Sequence, residues 1–116
     1  MKVLIVLNAA PYASERSYNG LRLAGALAKS EGVELKVFLF GDASARAMDG
    51  QTVPTGYYNI ETMVRAVMRR GGQVGVCGSC MHARGLMEPA LVEGARRNSM
   101  DELTAWTLEA DKVIVF

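Results

Sequence analysis

Apolar residues fall into two rhythms along this chain, and the alternation between them predicts a fold. Val3 to Leu7 is an unbroken apolar run containing β-branched Val3, Ile5 and Val6, the pattern of a strand buried on both faces. Glu34 to Phe40 and Val74 to Cys77 read as the second and third strands, and Lys112 to Phe116 as a last buried strand. Between these runs the period lengthens to that of a helix. Leu21, Ala24, Leu27 and Ala28 share one face of a segment that Ser14 would cap and Gly32 would close. Ile60, Met63, Val64, Val67 and Met68 follow the i, i+3, i+4, i+7, i+8 spacing, behind the N-cap candidate Asn59 and ahead of Gly71-Gly72. Ser99-Met-Asp-Glu102 has the form of a capping box and opens a helix with Leu103, Trp106 and Ala110 turned inward. Gly41-Asp42 introduces a brief helix around Ala43 to Met48.

Strands alternating with helices at this spacing predict βαβ units joined by right-handed crossovers. The expected architecture is a single α/β domain over residues 1–116, a three-layer α/β/α arrangement around a mostly parallel sheet of about five strands. Two stretches keep neither rhythm. Asp49 to Tyr58 reads as a long loop of the kind that often covers a site. Leu86 to Asn98, broken by Pro89 and Gly94, is the least legible part, with one short strand expected near Ala95–Arg97.

Composition narrows the function more than the fold. Apolar residues make up 50% of the chain and charged ones 22%, which suits a packed globular protein. The net charge of +1 supplies no basic face for nucleic acid or an anionic membrane. Arg69-Arg70 and Arg96-Arg97 read as solvated element ends. The apolar core of the first strand is shorter than the roughly 7–15 residues of a secretory h-region. No segment approaches the roughly 20 apolar residues of a membrane span, so the expected location is the cytoplasm.

Reactive chemistry is concentrated in Gln73–Leu86, which holds both cysteines, Cys77 and Cys80, and the sole histidine, His82. The pattern puts Cys77 at the carboxyl end of a strand and Cys80 in the first turn of a helix, where free N–H groups and the dipole favour a thiolate. Open α/β sheets bind ligands at those strand ends. In a reducing compartment such a pair points to catalysis, redox exchange or metal binding. Zinc would find only Cys77, Cys80 and His82, crowded together with no further Cys/His pair, and no metal is expected. The loop Asn8-Ala-Ala-Pro11-Tyr12 lacks the glycines of a phosphate-binding turn, so no cofactor is expected either. His82 is a candidate for keeping a cysteine ionised, and Arg84 for steadying a thiolate or an anionic sulfur product. On its own, Cys-x-x-Cys also suits a dithiol/disulfide redox protein or sensor.

Cys77 followed by Arg84-Gly85 resembles the motif of the DsrE/DsrF/TusD family of small sulfur-relay proteins. Ala10-Pro11-Tyr12, Gly56-Tyr57, Tyr58-Asn59-Ile60, Trp106-Thr107-Leu108 and Ala110-Asp111-Lys112-Val113 extend the similarity to the YchN branch. The resemblance implies a DsrE-like fold and a sulfurtransferase-type carrier in which Cys77 holds sulfane sulfur as a persulfide. It also implies exchange with donor and acceptor proteins, and a homohexamer with sites near subunit interfaces. His82 lies outside the family motif, and Cys80 adds an internal resolving thiol. Three functions therefore stand: sulfur carrier, dithiol redox protein, and non-catalytic oligomeric ligand- or partner-binding module. The loop Asp49–Tyr58 or a second chain is expected to border Cys77.

Overall fold

The computed structural model describes residues 1–116 throughout. Five strands, β1 (Lys2–Leu7), β2 (Glu34–Leu39), β3 (Gln73–Cys77), β4 (Arg96–Asn98) and β5 (Lys112–Val115), alternate with α1 (Glu15–Ala28), α2 (Ile60–Arg69), α3 (Gly78–Ala83) and α4 (Met100–Glu109). A 3-10 turn occupies Gly41–Ala47. Two of the three expected N-caps form as read: Asn59 Oδ1 accepts the Thr62 N–H and Ser99 Oγ the Glu102 N–H. Ser14 stands at the N-cap position of α1, but its side chain makes no capping hydrogen bond.

The strands form one sheet in the order β4-β3-β2-β1-β5, with every pair parallel. From β1 the chain winds outward through β2 and β3 to β4, and the crossovers α1, α2 and the Leu91–Ala95 segment all pack on one face of the sheet. The last crossover runs back across the sheet to the far side of β1. Right-handedness then requires α4 to lie on the opposite face. There Leu103 and Trp106 pack over Leu4, Phe38 and Cys77.

One reversal of winding leaves the two faces unequally covered. The first face buries a cluster of 19 residues, including Val3, Ile5, Val37, Leu39 and Val76 against Leu21, Ile60, Val64 and Val67. The second buries only five: Leu4, Val6, Phe38, Cys77 and Leu103. Each fully buried Val, Leu or Ile contributes about 1.5–3 kcal/mol, so the first face carries most of the stability. The closing strand departs from its pattern: β5 lies at the sheet edge, paired only with β1, and Val113 and Val115 are exposed by 43% and 63%. An apolar run announces burial on both faces only where both faces have cover.

The loop Asp49–Tyr58 also departs from expectation. It does not border the cysteines. Gln51 ties it to α2 instead, donating its N–H to Glu61 Oε1 at 2.8 Å, while Asn59 Nδ2 donates to the Gln51 carbonyl. Tyr12 OH donates to Gln51 Oε1 and accepts the Ile60 N–H, so the loops after β1 and before α2 close on each other.

Candidate functional site

Connections leave β3 and β4 toward opposite faces, which makes the carboxyl ends of these two strands the switch point of the sheet, where α/β folds form ligand crevices. Cys77 ends β3 there, directly opposite Asn98 at the end of β4. The chain turns at once into α3, and Cys77 rather than a later residue is the N-cap: its Sγ accepts the Cys80 N–H at 3.2 Å. Ser79 Oγ lies 3.4 Å from the same sulfur. Cys77 is 5% exposed.

Cys77 and Cys80 are joined as a disulfide, with their Cα atoms 5.2 Å apart. Cys80 Sγ also accepts the backbone N–H of Gly41 at 3.2 Å, from the first residue of the 3-10 turn. Arg84 does not reach either sulfur. Its guanidinium donates to Asp42 Oδ1 through Nε at 3.2 Å and Nη2 at 2.6 Å, and through Nη1 to the Cys80 carbonyl at 3.1 Å. Arg84 thus clamps α3 to the 3-10 turn and holds Gly41 over Cys80. His82 is exposed and its imidazole makes no hydrogen bond within the chain; its carbonyl accepts the Gly85 N–H. Cys77, Cys80 and His82 do not gather into a metal-ligating group.

A hollow of about 490 Å³ opens at the switch point, walled by Phe38, Phe40, Cys77, Arg97, Ser99 and Met100. It reaches Cys77 but not Cys80. Arg97, read from sequence as a solvated end, is the cation of this hollow and packs along Gly78. A Cβ built on Gly78 would stand 2.6 Å from Arg97 Nε. Arg97 sits two residues before the capping box of α4, within the strand that pairs with β3. A larger hollow of about 610 Å³ lies by Met68, Gln73, Arg96 and Trp106. No cysteine lines it.

A family model described as DsrE/DsrF-like matches residues 1–116. The chain belongs to this DsrE/DsrF-like family. The family is generally linked to sulfur relay. Among its similar proteins is YchN of Escherichia coli strain K12, 40% identical over 116 residues that cover 99% of this chain and 98% of YchN. Protein MJ0989 of Methanocaldococcus jannaschii is 37% identical over the full length of both chains. The crystal structure of E. coli YchN superposes with a TM-score of 0.94 at 39% identity, covering 100% of this chain and 99% of that one. MTH1491 of Methanobacterium thermoautotrophicum, at 16% identity and a TM-score of 0.76 over 99% of this chain and 98% of that one, shares the fold. The five-stranded all-parallel sheet agrees with the fold of the E. coli YchN structure.

Proposed function

We propose that this protein is a sulfur carrier in which Cys77 accepts sulfane sulfur as a persulfide and relays it to the thiol of an acceptor protein. The observation that supports this most directly is the position of Cys77: at the switch point, facing an open hollow, with the Cys80 N–H and the Ser79 hydroxyl beside its sulfur. Hydrogen bonds from these groups stabilise a thiolate, the form that attacks. In loading, the Cys77 thiolate attacks the outer sulfur of a donor persulfide, and the donor leaves as a thiolate. In delivery, an acceptor thiolate attacks the outer sulfur of the Cys77 persulfide, and the Cys77 thiolate is the leaving group. Arg84 is a positioning residue in this reading, and His82 enters neither step. Donor and acceptor proteins exchange through the hollow, in the cytoplasm and within a homohexamer.

The Cys77–Cys80 disulfide favours a second reading, a dithiol that cycles between thiols and disulfide. Cys80 connects the two readings. Its thiolate can attack Sγ of the Cys77 persulfide, forming the disulfide and expelling hydrosulfide. Intact mass spectrometry of the reduced protein after exposure to polysulfide separates them. We expect Cys77→Ser to take up no sulfur, and Cys80→Ser to take up one sulfur and keep it longer than wild type. Equal uptake by both variants would sink the carrier reading.

A further inference from the structure

Resting on the carrier reading, the geometry points to a loading route that begins from the oxidised protein and uses free hydrosulfide. Hydrosulfide attacks Sγ of Cys77 in the Cys77–Cys80 disulfide, Cys80 departs as a thiolate, and Cys77 is left as a persulfide. The bond between the two protein sulfurs breaks as the bond from Cys77 to the incoming sulfur forms. The incoming proton stays on the outer sulfur or passes to solvent. Sulfide is oxidised to the sulfane level and the disulfide is reduced, so no other oxidant takes part. Each disulfide accepts one sulfur.

Three observations carry the route. Access selects the sulfur that is attacked: the hollow is walled by Cys77 and not by Cys80, although Cys80 as a residue is the less buried of the two. A backbone donor waits for the leaving group, since the Gly41 N–H already lies 3.2 Å from Cys80 Sγ. A fixed donor aimed at developing negative charge speeds a step because nothing must reorganise to meet it. That donor does not depend on the disulfide for its place, because Arg84 ties Asp42 to the Cys80 carbonyl and holds the turn and α3 together when the sulfurs separate. The third observation concerns the nucleophile, which is an anion at neutral pH: Arg97 stands in the wall of the hollow, packed against Gly78 beside the attacked residue. Thiol–disulfide exchange depends on which sulfur is reached and on how well the other leaves; both sulfurs have donors beside them, so access through the hollow decides the direction and the Gly41 N–H lets Cys80 leave.

The test is to treat the oxidised wild-type protein with sodium sulfide under anaerobic conditions, trap it by alkylation and map the product by fragment mass spectrometry. We expect one added sulfur on Cys77 and a plain alkyl group on Cys80. Cys80→Ser, which cannot form the disulfide, should take no sulfur from sulfide and one from polysulfide. Arg97→Gln should slow sulfide loading by about threefold to tenfold at low salt, and leave unchanged the rate at which neutral tris(hydroxymethyl)phosphine opens the disulfide. Added sulfur on Cys80, or sulfide loading of Cys80→Ser at the wild-type rate, overturns the route. So does an oxidised wild type that gains no sulfur while Cys80→Ser still loads from polysulfide, an outcome that leaves the carrier reading standing. Polysulfide loading of Cys77→Ser at the wild-type level removes the carrier reading itself. Equal sulfide rates for Arg97→Gln and wild type remove Arg97 from the route.

Discussion

An alanine at position 75 would put its Cβ 2.5 Å from Asn98 Nδ2 and 3.0 Å from Trp106 Cη2. Both neighbours belong to the thin second face, where Asn98 is buried, so neither can step aside freely. We expect Gly75→Ala to cost about 1–3 kcal/mol by overpacking, read as a lower urea midpoint with an unchanged slope. Position 78 should behave differently. A Cβ there meets only the side chain of exposed Arg97, which can swing away, so Gly78→Ala should change stability by about 0.5 kcal/mol or less while displacing the cation from beside Cys77. Its signature is a normal urea midpoint with sulfide loading slowed as in Arg97→Gln. These two glycines also show what the sequence conveys at this scale. Strand-end Cys77 and helix-borne Cys80 follow from local pattern alone. The partner of Arg84, Asp42, is 42 positions away, and the packing of Arg97 on Gly78 depends on β4 pairing with β3. No local pattern encodes either.

The junction between the Asp49–Tyr58 loop and α2 shows the same division among elements. The helix and its Asn59 cap are legible because period and capping are local. The loop's attachment is not, because it turns on Glu61, a residue whose charge suggests only a solvated first turn. Glu61 is mostly withdrawn from solvent, with its side chain 14% exposed. Burial alone would raise its pKa. The Gln51 N–H, the Arg65 guanidinium and the Gly50 N–H outweigh burial and hold the carboxyl below its usual value. Because the folded-state value is depressed, the stabilisation is present above the unfolded-state value and is lost as pH falls through the folded one. Glu61→Gln should therefore be less stable than wild type at neutral pH by about 1–2 kcal/mol, and the two unfolding curves should converge in acid. Arg46 was equally hidden. It is fully buried, donating through Nε to the Ala9 carbonyl at 2.9 Å and through Nη1 to the Ser17 carbonyl at 2.8 Å, and it pins the loop after β1 to the start of α1. Burial lowers its pKa to about 10, against an opposing interaction with Tyr58.

For the whole molecule, the unequal cover of the sheet is the dominant property. A three-layer α/β order was readable from the alternation of rhythms, whereas the strand order was not, because the single reversal after β4 is a long-range choice. That choice leaves α4 as the sole helix on its face and keeps Met100, Leu108, Val113 and Val115 exposed. A closed homo-oligomer, hexameric by the family resemblance, would bury such residues. We expect sedimentation equilibrium to give a hexamer at micromolar concentration and Leu108→Asp to shift the protein toward smaller species without loss of helical circular dichroism. A wild-type monomer under those conditions would remove the assembly and leave Cys77 to be explained without a neighbouring subunit.

β1 sits inside the sheet, between β2 and β5, and this placement bears on the order of events during synthesis. The Lys2 N–H bonds to Asp111 across a separation of 109 residues, and the Asp111 N–H returns to the Lys2 carbonyl. A growing chain can lay β2 and β3 beside β1 early, but the other flank of β1 stays unpaired until β5 leaves the ribosome. Until then Leu4 and Val6 lie along an open, apolar strand edge of the kind that recruits strands from other chains. Non-local pairing of this sort is also slow, so the nascent chain should need a chaperone's shelter for longer than its small size suggests.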